Sequence, residues 1–347
     1  MKKICVLGAF GYYNNKLDGQ TVKTRNVFKL LQDNHSNKLY YIDTMEIRRN
    51  PLYGFRLLWK LIKCNTLIII PCLNNLTYIF PIVYYLSKIL RFEVIHICIG
   101  GWQAEYFVGN ERFKSHPLQL KLSKKIKLFM PEMISVENDL RNTLGFTNTV
   151  MFPNFRFISS ETKYTETMSK TLRLVFLARV DKQKGYDTIF NFAEFVKAHN
   201  CDIIIDFYGP INEIDRDDFF SLLNIYKDIV SYKGVLQQEE IAECLKNYDL
   251  MLLPTKVYTE GFPGSILDAY IAGIPVIATK WKYAHEFIDD EKTGFIIRFE
   301  DCQSEFNDKV MTLYNDREML SRMKSMSFQK RLQYSNQYAW SILSKYL

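Results

Sequence analysis

The chain has 347 residues, 48% of them hydrophobic and 24% charged, with a formal net charge of +7. That composition excludes a disordered polymer, and the length exceeds one ordinary core, so two domains of roughly 150–170 residues each are expected. Seven cysteines lie scattered with no CxxC pair and no Cys/His cluster, which argues against a structural zinc and for a reduced, cytoplasmic compartment.

The N-terminal MKKICVLGAFG has the outline of a signal peptide. Its apolar run is short and breaks into Tyr12-Tyr13-Asn14-Asn15, so it reads as a first β-strand and no signal peptide is assigned. Thr66 to Ser87 is free of charge and long enough to span a bilayer, but contains Pro71, Asn74, Asn75 and Pro81. A buried strand, a turn and then a helix fit it better than a transmembrane segment. Residues 1–155 hold 21 Lys/Arg against 10 Asp/Glu, a net of +11 that leaves −4 for the remainder. A basic first half calls for an anionic partner, either membrane phospholipid or nucleic acid.

Apolar strand-like runs recur at Lys3–Leu7, Leu39–Ile42, Leu67–Ile70, Val94–Ile99 and Met133–Val136. Helical spacing separates them at about 20–33, 51–64, 76–90 and 117–128. This alternation predicts an α/β domain with right-handed crossovers and a parallel sheet covered on both faces. Ligands bind such sheets beyond the carboxyl ends of the strands, here the loops after residues 7, 99 and 136. Gly8-Ala9-Phe10-Gly11 lacks the G-x-G-x-x-G order, and Asp43 is the one acid placed for a ribose, so a nicotinamide or flavin is disfavoured. Asp18-Gly19-Gln20-Thr21 leads into a helix. Gly19 would let the backbone approach a ligand closely, and a flexible loop with an N-cap is the alternative. His96-Ile97-Cys98-Ile99 ends in Gly100-Gly101-Trp102, a binding loop by its position and composition. His96 lies inside the strand and reads as a packed core histidine rather than a catalyst.

Two basic segments carry the charge excess. Over 48–63, Leu52, Phe55, Trp59 and Ile62 follow helical spacing beside Arg56, Lys60 and Lys63, and 114–127 repeats the pattern more weakly. Basic residues beside aromatics suit docking on an anionic membrane face, and equally a Rossmann-type helix with a solvated cationic side. Nucleic acid fits less well, because no reader motif is present.

The first domain is expected over 1–157, a polar linker over 158–171, and a second domain over 172–330. Residues 331–347 form an aromatic tail expected to pack back on the first domain. In the second domain, strands read at Leu172–Leu177, Asp202–Tyr208, Val230–Lys233 and Leu250–Leu253, with amphipathic helices near 301–316 and 318–332. Arg179 and Lys184 follow the first of these strands, where two cations could hold a diphosphate without a metal, or serve as surface ion-pair partners. Asp215-Arg216-Asp217 opens a polar helix and reads as dipole stabilisation rather than a metal site. Pro254 to Thr279 then presents Glu260 ahead of Gly261-Phe262-Pro263-Gly264, a helix from about Ser265 ended by Gly273 and Pro275, and a strand at Val276-Ile277-Ala278. A loop that delivers amide N–H groups and a carboxylate to a helix N-terminus suits a sugar or phosphate ligand.

The segments LVFLARVDKQKGYDTI (174–189), DFYGP (206–210), YKGVLQQEEIAECLKNYDLMLLPT (232–255), EGFPGSILDAYIAGIPVIAT (260–279) and EKTGFII (291–297) resemble the family 4 (group 1) retaining glycosyltransferases. The Gly19 loop, GGW (100–102) and PNF (153–155) match more loosely. The resemblance implies a GT-B fold, two doubly wound Rossmann-like domains facing each other across a cleft. It implies a nucleoside-diphosphate sugar donor, UDP-linked, with Arg179 and Lys184 neutralising the diphosphate in place of a metal. Glu260 corresponds to the first acid of the E-x7-E motif, on the transferred sugar. Gly261, Phe262, Pro263, Gly264 and Ser265 would cradle the donor, with Gly19, Gln20 and Gly209 beside it. Asp268 stands at the second acid, where the family usually has Glu on the ribose. It also completes a capping-box-like Ser265-x-x-Asp268, so ribose contact and capping both remain open. Ile99 stands where the family often has His. Gly100, Gly101 and Trp102 would face a lipid-linked or saccharide acceptor in polysaccharide assembly at the inner face of the cell membrane. A sugar-nucleotide epimerase of the same fold and a non-catalytic sugar-nucleotide-binding subunit are the alternatives.

Overall fold

Among the described residues eleven short, mostly buried runs form strands, and two parallel sheets account for all of them. The computed structural model describes residues 3–14, 18–35, 38–50, 53–158, 164 and 169–347. The chain divides into two compact units, 1–157 with 334–347, and 158–333. Most of the expected linker, together with Leu52 and the Arg56 side chain of the basic stripe, lies outside the described residues.

The first sheet comprises β1 (Ile4–Gly8), β2 (Leu39–Asp43), β3 (Thr66–Ile70), β4 (Glu93–Ile97) and β5 (Leu128–Met130), in the order β2-β1-β3-β4-β5. All neighbours are parallel. Its core joins Ile4, Val6, Ile68, Ile95 and Met130 to Val27 and Leu30 of the Gly19–Asn34 helix. Ala339 and Leu343 of the Asn336–Leu343 helix pack into the same core, and Arg156 bridges Ser335, so the unit's C-terminal segment begins at Tyr334.

Met133–Val136 is not a strand. Buried Met133, Val136 and Leu140 recur at helical intervals while Ile134 is exposed, and Ile134–Asn138 is a helix. The fifth strand is instead Leu128–Met130, which begins at the last residue of the stretch read as a helix over 117–128; that helix stops at Ser123. Thr66 to Ser87 forms β3, a π-helical turn at Asn75–Ile79 and the start of the Phe80–Leu90 helix. No helix among the described residues is long and apolar enough to cross a membrane.

The second sheet comprises β6 (Leu172–Leu177), β7 (Ile203–Tyr208), β8 (Val230–Tyr232), β9 (Leu250–Leu253), β10 (Val276–Thr279) and β11 (Gly294–Ile297). It runs β11-β10-β9-β6-β7-β8, again all parallel. From β6 the chain winds outward through β7 and β8, then returns to place β9 on the other side of β6. The crevice beyond the carboxyl ends of β6 and β9 is therefore the switch point at which this topology accepts ligands. In the first sheet the corresponding point lies between β1 and β3.

Candidate functional site

At the switch point of the second sheet, the loop after β6 is shaped by its own hydrogen bonds. The Asp181 carboxylate accepts the Lys184 N–H (2.9 Å) and caps a 3-10 turn over Lys182–Lys184. Gly185 follows at φ +79°, and a Cβ there would stand 2.0 Å from the Pro254 carbonyl oxygen, so only glycine permits this contact with the end of β9. Thr255 completes the join. Fully buried, it donates its hydroxyl to the Gln183 carbonyl (3.3 Å), while its own carbonyl accepts from the Thr279 hydroxyl. The Lys256 N–H also reaches the Gln183 carbonyl (2.8 Å).

The β9 loop then turns through a Glu260 N–H bond to the Val257 carbonyl (3.2 Å) and brings the Glu260 carboxylate onto the Lys184 ammonium. The two side chains keep 18% and 20% of their surface, so the pair is formed but reachable from solvent. Arg179 is exposed, with the Asp181 carboxylate 3.9 Å from its guanidinium. Lys182 on the same turn is committed elsewhere, to Asp218 at 3.1 Å, a bond that raises the pKa of the lysine; the Tyr186 hydroxyl, and after it Lys182, lower that of the carboxylate. Two cations, Arg179 and Lys184, thus gather with the Glu260 and Asp181 carboxylates at one end of the sheet, a set suited to a diphosphate attached to a polar group.

Beyond Glu260, Phe262 is buried and stacks on Phe287 with ring centroids 3.9 Å apart, so its ring is a packing element of the turn. The helix begins at Gly264 with Pro263 as its N-cap and no side-chain cap. Ser265 is inside the helix, so Ser265 and Asp268 do not form the capping box their spacing allows. Asp268 is buried in the first two turns. Gly209 is held at φ +133° with a hypothetical Cβ 1.9 Å from the Ala178 carbonyl oxygen. Its smallness seats the β7 loop against the Arg179 loop, and the Val180 N–H bond to the Pro210 carbonyl (2.9 Å) extends that seam.

In the first unit, Asp18 caps the Gly19–Asn34 helix reciprocally with Thr21. Gly19 has open space around its Cβ position, so the backbone there does not demand glycine. Gln20 and Trp102 come together, lining a cavity of about 170 Å³ with Ile99, Arg112 and Phe113. A second cavity of about 360 Å³ lies at the switch point, lined by Ala9, Gln20, Thr21, Leu73 and Asn74. The loop after β3, which supplies Leu73 and Asn74, carried no motif.

The residue that sequence reasoning missed is Glu132, just past β5. Its carboxylate accepts from the Lys23 ammonium (2.7 Å) and from the Gly100 N–H (2.9 Å), both side chains of the ion pair being sealed from water. Gly100 sits at φ +76°, and this bond fixes the loop that presents Gly101 and Trp102. Asp43 is likewise occupied, accepting the N–H groups of Phe10 (3.1 Å) and Gly11 (2.9 Å), so it shapes the β1 loop. His96 is buried between Phe80 and Phe129, and burial lowers its imidazole to about 3.

Residues 171–316 match the family described as Glycosyl transferases group 1. Over 139 residues the chain is 30% identical to a 41.2 kDa protein of the cps region of Klebsiella pneumoniae, a match covering 40% of this chain and 36% of that relative. It is 25% identical over 289 residues to the capsular polysaccharide biosynthesis glycosyltransferase CapM of Staphylococcus aureus, covering 76% of this chain and 69% of CapM. Among solved structures, Anabaena HepE in complex with UDP aligns over 99% of both chains with a TM-score of 0.72 at 13% identity. That likeness extends over both Rossmann-like parallel-sheet units and agrees with a GT-B fold.

Proposed function

We propose that the protein transfers a sugar from a nucleoside-diphosphate donor, UDP-linked, to a lipid-linked or saccharide acceptor in capsule or exopolysaccharide assembly. The observation that carries this reading is the Lys184–Glu260 pair at the switch point of the second sheet, reachable from solvent and close in sequence to the exposed Arg179. It lies within the segment that matches the group 1 family, whose curated relative CapM is a capsular polysaccharide transferase.

In this proposal Arg179 and Lys184 hold the donor diphosphate and stabilise the charge that develops on it as the glycosidic bond breaks. Lys184 then exchanges part of its contact with Glu260 for the phosphate oxygens, which frees the carboxylate to accept from sugar hydroxyls. Preorganised charges of this kind act where charge develops and cost little reorganisation at the moment of reaction. The family resemblance implies a retaining, front-face reaction in which the leaving phosphate takes the acceptor proton. Asp268, one turn into the helix that begins at Gly264, is assigned to the ribose. The cations carry the role a metal has in other transferases, and the site of action is the inner face of the cell membrane.

Screening a panel of nucleotide sugars for thermal stabilisation and slow donor hydrolysis tests the proposal. One UDP-sugar is expected to give both signals. An enzyme that converts the donor to its epimer without any acceptor would point to the alternative of the same fold, and a panel with no response would remove donor binding altogether.

A further inference from the structure

The order β2-β1-β3-β4-β5 moves in one direction at each step from β2 to β5. With right-handed crossovers, the Tyr53–Lys63, Phe80–Leu90 and Pro117–Ser123 helices therefore share one face of the first sheet. The Gln119 amide, donating to the Thr77 carbonyl at 2.9 Å, ties the last of these to the π-helical turn that leads into the Phe80–Leu90 helix. Helices covering a sheet ordinarily turn polar residues outward, but these also turn large apolar side chains outward. Tyr78, Ile82, Tyr85 and Ile89 fall at helical intervals and are 71%, 61%, 54% and 73% exposed. On the neighbouring helix Phe55, Trp59 and Ile62 are exposed in the same way, at 75%, 55% and 59%.

The charges around these stripes have one sign. Residues 47–92 contain seven Lys/Arg and no Asp/Glu, and residues 112–131 contain six and none. Lys88, Arg91, Lys121, Lys124 and Lys125 are exposed, and the Lys63 ammonium lies 3.4 Å from the Trp59 ring centroid. Tyrosine and tryptophan with one wet end, aliphatic side chains between them and lysines able to extend past both are the composition of a surface that rests in a lipid headgroup layer. A second copy of the chain would set these cations against themselves if it docked through the same face about a two-fold axis.

We propose that this helical face, with the outward stripe of the Phe80–Leu90 helix at its centre, seats the first unit on an anionic phospholipid bilayer. The apolar side chains enter the headgroup layer and the surrounding lysines meet lipid phosphates. This deepens the membrane part of the proposed function but rests on the exposed surface alone, so it can fail while donor binding holds, and the reverse.

Flotation with phosphatidylglycerol-containing and pure phosphatidylcholine vesicles tests it, with thermal stabilisation by UDP measured on the same samples. The anionic vesicles should carry at least about ten-fold more protein at low salt, since each basic residue near such a surface adds about 1 kcal/mol. Both Ile82→Ser/Ile89→Ser and Lys121→Glu/Lys124→Glu/Lys125→Glu should lower that binding about ten-fold or more while leaving the UDP response unchanged. Equal recovery with both vesicle types overturns the proposal, as does undiminished binding by either variant. So does a concentration-dependent dimer that Ile82→Ser/Ile89→Ser disperses, which would make the face a contact between copies.

Discussion

Each unit carries a lysine–glutamate pair at the carboxyl end of its sheet. Lys23 and Glu132 retain 1% and 2% of their side-chain surface, whereas Lys184 and Glu260 retain 20% and 18%. A sealed pair has lost its water on both sides and needs its partner, so it is part of the architecture, here the anchor of the Gly100 loop. An open pair keeps some of its hydration and can change partners at modest cost. The same two residue types thus mark a fixed point in one unit and an exchangeable site in the other, and access decides which.

The sharpest way to break the comparison is to truncate the sealed pair. Glu132→Ala leaves the Lys23 ammonium buried without its counter-charge and should cost about 3–5 kcal/mol in urea unfolding. Glu260→Ala should cost about 1 kcal/mol or less by the same measurement, while turnover falls at least about 100-fold. Near-normal turnover in Glu260→Ala would take the carboxylate out of the reaction.

Gly185→Ala tests whether the open pair depends on the seam between the β6 and β9 loops. The added methyl meets the Pro254 carbonyl, and strain of this kind costs about 1–3 kcal/mol. Because Lys184 is adjacent, donor binding should weaken along with stability, which titration with a nucleotide sugar would register.

The sealed character of the first unit also has a pH signature. Burial takes His96 from its ordinary 6.5 to about 3, so between those values the unfolded chain binds a proton that the folded chain refuses. The stabilisation is complete above about pH 6.5 and is lost as pH falls toward 3. Urea unfolding across that range should show His96→Phe with a slope shallower by up to about 1.4 kcal/mol per pH unit. A smaller effect belongs to Asp18→Ala, which removes a reciprocal helix cap. It should cost about 1 kcal/mol without altering the chemistry of the second unit.

Nine of the eleven described strands were legible because a largely buried strand is a short apolar run ended by glycine, proline or a polar turn; β5 and β11 were not read as strands. Met133–Val136 misled because four apolar or small residues fit a strand and one helical turn equally well, and only the burial of Leu140 settles the period. Within the site, Lys184 and Glu260 stood out through their loops and the family pattern. Glu132 gave no such signal: its partner lies 109 residues away, and the pair exists only once β1 and β5 share a sheet. Thr255 was equally silent, since nothing local distinguishes a hydroxyl that joins two loops from one at the end of any strand.

The most direct measurement is the UDP-induced rise in melting temperature of the full chain, compared between the wild type and Lys184→Met. Exchangeability of the open pair predicts that both proteins melt within a few degrees of each other without ligand, and that UDP raises the wild type alone. An equal UDP shift in Lys184→Met would contradict it, for the ligand would then be held without the cation on which the site is built.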